Sequence, residues 1–460
     1  MKKIIENTKH EDLIVSLDIG TTKIVVVVAQ ANDQNQIEVL GFGRSNSTGV
    51  QYGNVYNLDR TVREIREAAE QAADNAGESF ENVFVGIAGR HITNSKYIHN
   101  ITRPKGKEET IKKEEVERLK NDIYNIAVDP GDEIISVIPQ TYIIDNSRET
   151  SEPVGEFGSV LGGSFQVVTG TAFEIEKILR AVKMSDLKVK KMILEPQASG
   201  LSTLSEQEKK IGVALVDIGG GTSDLAIYHN GNLCHTKVIP LGGQIITKDI
   251  EQTCGIITEH AEYLKKKYGT CIEDPQDKAK VITIPQVWGH QAKEINLYFL
   301  SQVIAARVKM ILEEIRQEIE NSGYSKKINC GIVLTGGGST LRNIKELCEY
   351  HTHKQVRIAS PEFGFAPNLP DELKNPMYAT VLGLLRYGID FSENTVEEEK
   401  EEEEDTENEG SGFDFFGTKF GTKTKKEPSN DKPKKPKENG SNRIQTAIED
   451  FMKNILSKTE

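Results

Sequence analysis

Strand-like apolar runs alternate with helix-like stretches up to Asp390, the alternation of an α/β architecture. Two of the runs repeat one another. In the first, Asp12 to Asp18 leads into an Ile-Gly-Thr-Thr turn, followed by Ile24 to Gln30, a polar turn at Asn32 to Asn35, and Ile37 to Gly43. In the second, Gly212 to Asp217 leads into Ile-Gly-Gly-Gly-Thr, followed by Leu225 to Tyr228, an Asn230-Gly231 turn, and Leu233 to Ile239. Each predicts strand, Asp-Ile-Gly turn, strand, hairpin turn, strand. The two aspartates stand 199 residues apart, about a domain's length. A β-meander repeated at that distance predicts two related lobes facing each other.

Beyond Asp390 the pattern breaks. Glu397 to Glu409 holds ten acidic residues against one lysine. Gly410 to Gly421 follows, carrying Phe413, Phe415, Phe416 and Phe420, and then a lysine-rich, proline-containing stretch from Lys423 to Lys437. Residues 391–440 cannot bury enough apolar surface to offset their conformational entropy and read as a disordered linker. Its phenylalanines are either a short docking motif or plain apolar linker residues. Periodicity returns at 441–460. Ile444, Ala447, Ile448, Phe451, Met452, Ile455 and Leu456 fall on one helical stripe, and Asn442 or Ser441 can cap its start. A short helix after a linker has no core beside it. Its stripe must meet a membrane interface, a partner groove or a distant patch of the body. The upstream lysines favour the membrane, at roughly 1 kcal/mol per basic residue near anionic lipid.

A chain of 460 residues accommodates two domains and a tail. The longest apolar run, Ile24 to Ala29, is too short to cross a bilayer. Glu6, Lys9, Glu11 and Asp12 interrupt any signal-peptide core, so a cytosolic location is expected. The five cysteines are scattered and never spaced as CxxC, which points to reduced structural thiols. The net charge of −13 resides mostly in the acidic run. The body is close to neutral and offers no basic face for nucleic acid.

The two turns suit one chemistry. Gly20, Gly219, Gly220 and Gly221 let backbone N–H groups close around phosphate oxygens. Thr21, Thr22, Thr222 and Ser223 add hydroxyls, and Lys23 can neutralise a terminal phosphate. Asp18 and Asp217, at the ends of buried strands, can hold the waters of a Mg²⁺ ion. Asp-x-Gly turns are common hairpin signals; two in matching strand contexts are not. A third segment, Ile332 to Ser339, runs from a strand into Gly336, Gly337, Gly338 and Ser339, with a helix expected from Leu341. Such a turn lets a flat ring or a phosphate approach the backbone.

Together the three segments resemble the ATPase fold shared by actin, heat-shock chaperones and sugar kinases. That resemblance implies ATP and Mg²⁺, bound by two phosphate loops and an adenosine loop, with helices from Glu195 and from Met377 crossing between the lobes. Within this superfamily the chain resembles the FtsA family of bacterial division proteins. The resemblance rests on Val137 to Asp145, Pro153 to Gly155, Leu241 to Ile250, Ala261 to Gly269 and the linker-plus-helix ending. It spans roughly 12–388 plus the final helix.

The family implies a two-lobed fold with duplicated mixed sheets. The first lobe would take 12–80, 166–205 and 375–390. A small α+β insert at 81–165 (strand, strand, a charged helix near 113–126, a strand at 134–144) would serve self-association and contacts with other division proteins. The second lobe would take 206–374, with a smaller subdomain at about 245–310. By the same resemblance Glu262 and Lys265 touch the ribose and base, and their subdomain binds the C-terminal peptide of the tubulin-like protein FtsZ. The chain would polymerise and attach through Ile444, Ile448, Phe451, Met452, Ile455 and Leu456 to the inner face of the cytoplasmic membrane at the division site.

Glu195 resembles the water-positioning acid of the bacterial actin MreB, or else caps the helix that follows it. Hydrolysis is expected to be slow at most. One segment departs from the family: Gly155 to Leu161 lacks the usual Arg of a Gly-Met-Ser-Gly-x-Arg-Leu stretch. A pilus-assembly relative would share the nucleotide motifs and insert but has no use for the terminal helix. A sugar kinase would need a catalytic Asp base for a hydroxyl substrate. His351 and His353 read as exposed surface residues.

Overall fold

The computed structural model describes residues 13–392, apart from 33, 35, 104–108 and 286–290. Residues 1–12, the acidic run, the rest of the expected linker beyond 392 and the helix expected at 441–460 lie outside the described residues.

In the first lobe Ile14–Ile19 is buried along its whole length. It pairs antiparallel with Lys23–Ala31, which pairs antiparallel with Ile37–Asn46. On its other side Asn82–Ile87 and then Lys188–Leu194 join in parallel. The alternation of side chains across a strand divides the core between two faces. Val15, Leu17, Val26 and Val28 pack with Val62, Ile65 and Ala68 of the helix Leu58–Ala76. Ile14, Val25 and Val27 pack with Val381, Leu382 and Leu385 of a helix at 379–392.

The second lobe repeats the plan. Its sheet runs Asn232–Ile239, Ser223–His229, Val213–Ile218, Ile332–Thr335, Val356–Ile358. The two hairpins share one register: Asp18 lies opposite Val25, and Asp217 opposite Asp224. The helices Gly243–Cys254, Thr258–Tyr268 and Leu297–Asn321 and a hairpin of Val281–Ile284 with Lys293–Asn296 form the smaller subdomain.

The insert is a sheet of Ile92–Thr102, Val160–Thr171, Asp132–Ile144 and Arg148–Thr150. The helix Lys113–Tyr124 covers it, with Val116, Leu119 and Ile123 against Leu161 and Phe165. Three expected boundaries move, the first being the linker's start: Phe391 and Ser392, expected in the linker, continue the helix at 379–392, with Phe391 packed on Phe84 (ring centroids 6.0 Å). Asn82–Ile87, expected inside the insert, belongs to the first lobe, because both of its faces are covered there. Val160–Thr171, expected to change lobe at 166, stays in the insert throughout, since it pairs on both sides up to Gly170. The helix expected from Leu341 begins at Ile344, after a 3₁₀ turn at Gly337–Thr340 and a left-handed Asn343.

The insert also sits against the second lobe. The Asn94 side chain donates to Thr236 O and accepts from Thr236 Oγ1 (3.3 Å), and Gln140 Nε2 donates to Leu233 O (2.7 Å). The helix Glu195–Thr203 crosses the helix at 379–392 with Ala198 against Gly383. A Cβ on Gly383 would lie 1.8 Å from Ala198 O, so only glycine fits there. Among the described residues no helix is long and apolar enough to cross a membrane.

Candidate functional site

The carboxyl ends of Ile14–Ile19 and Val213–Ile218 deliver Asp18 and Asp217 to one small cavity of about 80 Å³. Both turns line it and abut: a Cβ on Gly220 would lie 2.3 Å from Thr22 Cγ2. Gly20, Thr21, Thr22, Lys23, Gly219, Gly221 and Thr222 share the wall, as do Gly336, Gly337 and Glu195.

Four carboxylates face this cavity, Asp18, Asp217 and Asp224 buried and Glu195 half-buried, and Lys23 is the basic side chain in its lining. Burial raises the pKa of all four. Asp18 is raised by burial, with Lys23 opposing and Asp217 adding to the shift. Glu195 is pushed well above the usual carboxylate range by burial, then by Asp18 and Asp224. Asp224 is pushed well above that range by burial and then by Asp217. Asp217 is raised by burial, while Ser199 and Lys23 pull it back. Its Oδ2 accepts from Ser199 Oγ (2.7 Å) and Thr380 Oγ1 (3.2 Å), one hydroxyl from each crossing helix. Asp224 Oδ2 accepts from Thr222 Oγ1 (3.4 Å), but Asp224 Oδ1 is buried with no hydrogen-bond partner. Among the described residues no cluster of three such side chains is placed to ligate an ion directly, so this carboxylate-rich lining with its orphaned oxygen fits a divalent cation through the ion's waters.

A larger cleft of about 830 Å³ continues from the small cavity through Thr22, Gly219 to Gly221, Gly337 and Met377. Glu262 and Lys265 line it from Thr258–Tyr268, 2.6 Å apart. Lys265 Nζ donates to Thr247 Oγ1 (2.7 Å) and Gly243 O (2.9 Å). Burial lowers the Lys265 pKa, and Glu262 partly restores it. Burial raises that of Glu262, yet Lys265 and Thr247 together leave it below the ordinary value.

Two predicted site residues stand apart, and the first is Ser223, whose hydroxyl donates to Leu241 O (2.7 Å) away from both cavities. Ser339 also lines neither cavity; its buried hydroxyl donates to Gly336 O (2.7 Å) and closes the 3₁₀ turn. Gly338, Thr340 and Arg342 line the larger cleft at that point. His353 is exposed as expected, whereas His351 is half-buried.

Sequence reasoning missed Asp224, Ser199 and Thr380. Asp224 could have been found from hairpin register, which sets it opposite Asp217; the first repeat has Val25 at that place, so comparing the repeats hides it.

The family model described as cell division protein FtsA matches residues 214–383, and that of the SHS2 domain inserted in FtsA matches 89–169. The cell division protein FtsA of Pseudomonas aeruginosa is 36% identical over 377 residues, covering 82% of this chain and 89% of that protein. Among solved structures the PilM–PilN type IV pilus biogenesis complex aligns with a TM-score of 0.58 at 17% identity, over 82% of this chain and 98% of that one. MreB5 of Spiroplasma citri bound to ADP aligns with a TM-score of 0.50 at 16% identity, over 85% and 99%. At those identities the structural likenesses establish the two-lobed, actin-like fold and nothing finer. With relatives above 30% identity over four-fifths of its length, the chain belongs to the FtsA family of cell division proteins.

Proposed function

We propose that this protein binds Mg²⁺-ATP in the cleft between its lobes, polymerises, and tethers the FtsZ ring to the inner face of the cytoplasmic membrane through residues 441–460. The observation that carries the reading is the convergence of two Asp-Ile-Gly turns on one cavity in which four carboxylates, three of them fully buried, face one lysine.

Backbone N–H groups of both turns receive phosphate oxygens, and Lys23 opposes the terminal phosphate. Asp18, Asp217 and the free oxygen of Asp224 hold metal-bound waters. The ion, when bound, supplies charge neutralisation on the phosphates. Glu195 orients a water toward the terminal phosphate. Glu262 and Lys265 serve the ribose and base, and the subdomain around them takes the FtsZ C-terminal peptide. The insert serves self-association and other division proteins. Identity of 36% to an FtsA against 17% to the pilus complex sets the pilus-platform reading aside.

The test is co-sedimentation with phosphatidylglycerol-containing liposomes, with Mg²⁺ and either ATP or ADP, for the full chain and a chain lacking 441–460. Removal of the segment is expected to abolish pelleting. Equal pelleting of both chains removes the tether from the proposal.

A further inference from the structure

The short hairpin of Val50–Gln51 with Asn54–Val55 turns through Tyr52 and Gly53. Both have positive φ, 51° and 77°, the two-residue left-handed turn that favours Asn-Gly. Glycine adopts this conformation freely, but a bulky side chain there is an outlier. The surroundings hold the turn in place. Gly53 N–H donates to Thr21 Oγ1 (3.2 Å), fastening the hairpin to the first Asp-Ile-Gly loop. Asn54 Oδ1 and His91 Nδ1 share a hydrogen bond (2.9 Å). A Cβ on Gly53 would lie 3.0 Å from Gly89 Cα and 3.1 Å from Ala88 O, so the turn cannot shift inward. Local strain that the surroundings over-determine points to function.

The position of Tyr52 says which function. It lines the larger cleft with Thr22 and Ser47 of its own lobe, across from Gly220, Gly221 and Lys248 of the other. Its neighbour Gly53 lines the small cavity, while Tyr52 itself remains 43% exposed. The side chain therefore stands where the phosphate end of the cleft opens to solvent.

We propose that Tyr52 is a retention residue for the nucleotide: its ring covers the triphosphate from the solvent side and slows release. The proposal rests on the nucleotide reading above. A cover of this kind acts on dissociation more than on association, and it needs the aromatic ring, not the hydroxyl.

The experiment uses the full chain with Mg²⁺ and a fluorescent N-methylanthraniloyl-ATP, in the wild type, Tyr52→Asn and Tyr52→Phe. Asn is at home in the turn, so Tyr52→Asn should raise the nucleotide-free Tm by roughly 2 °C. It should also speed stopped-flow release about tenfold, with association little changed. Tyr52→Phe should restore slow release to within about twofold. A merely structural tyrosine would move Tm and leave release alone. Unchanged release in Tyr52→Asn, or a Tm that does not rise, overturns the proposal while wild-type binding leaves the nucleotide reading standing. A wild type that binds no analogue overturns that reading, and this proposal with it.

Discussion

Asp217 is held by two hydroxyls that come from two different helices, Ser199 Oγ and Thr380 Oγ1. Its carboxylate is therefore fixed in direction before any ligand arrives, which suits a group that must orient metal-bound water. Replacing it removes both a charge and the anchor point of that network. Asp217→Ala is expected to weaken Mg²⁺-ATP binding about tenfold or more, read by titration calorimetry. Unchanged affinity would mean the metal position is misassigned. Asp18, Lys23 and Asp217 were legible in the chain because each lies within a few residues of a glycine turn. Ser199 and Thr380 were not: 181 residues separate them, and only the crossing of their helices brings them within 3.0 Å.

That crossing is an element-scale device. The helix Glu195–Thr203 carries Glu195 to the cavity and sets Ser199 behind Asp217, and the helix at 379–392 carries Thr380. Ser202 Oγ donates to Ala379 O (2.7 Å), and Gly383 lies directly on Ala198. Gly383→Ala inserts a methyl where no volume exists, so it should destabilise the protein by about 2 kcal/mol in a urea titration. It should also weaken nucleotide binding, because the displaced helices support Asp217. A variant with wild-type stability would show that the helices can separate freely. Element types were readable from hydrophobic period, and boundaries less so. That Val160–Thr171 runs past residue 166 within the insert shows only from its partners on both sides. The start of the helix at Ile344 depends on a left-handed Asn343 that no periodicity announces.

At the scale of the whole molecule, protons and a nucleotide-borne cation would compete for one set of cavity carboxylates. All four cavity carboxylates have raised pKa values when folded. Between the unfolded value, about 4, and those raised values, the folded state binds more protons than the unfolded one. Its stability then falls as pH rises through that window. In EDTA the Tm should decline as pH is raised from 4, and Asp224→Asn should flatten the decline. Saturating Mg²⁺-ATP should counter it, adding about 2.7 kcal/mol at a hundredfold excess over Kd. A metal-free Tm that climbs as these carboxylates ionise would contradict the charge arrangement. The duplication made two lobes legible from the sequence, since one hairpin register serves both. The seating of the insert on the second lobe was not legible, because it depends on Asn94, which belongs to no motif, and on Gln140, whose segment does not announce its partner.

That seating bears on how deletions should be interpreted. Asn232–Ile239 is the outer strand of its sheet, and the insert covers it through Asn94 and Gln140. Excising the insert would bare a ladder of unpaired N–H and C=O groups able to recruit strands from other chains. An insert-less protein should therefore clump, and a division defect in cells carrying it would report insolubility before it reported any lost partner.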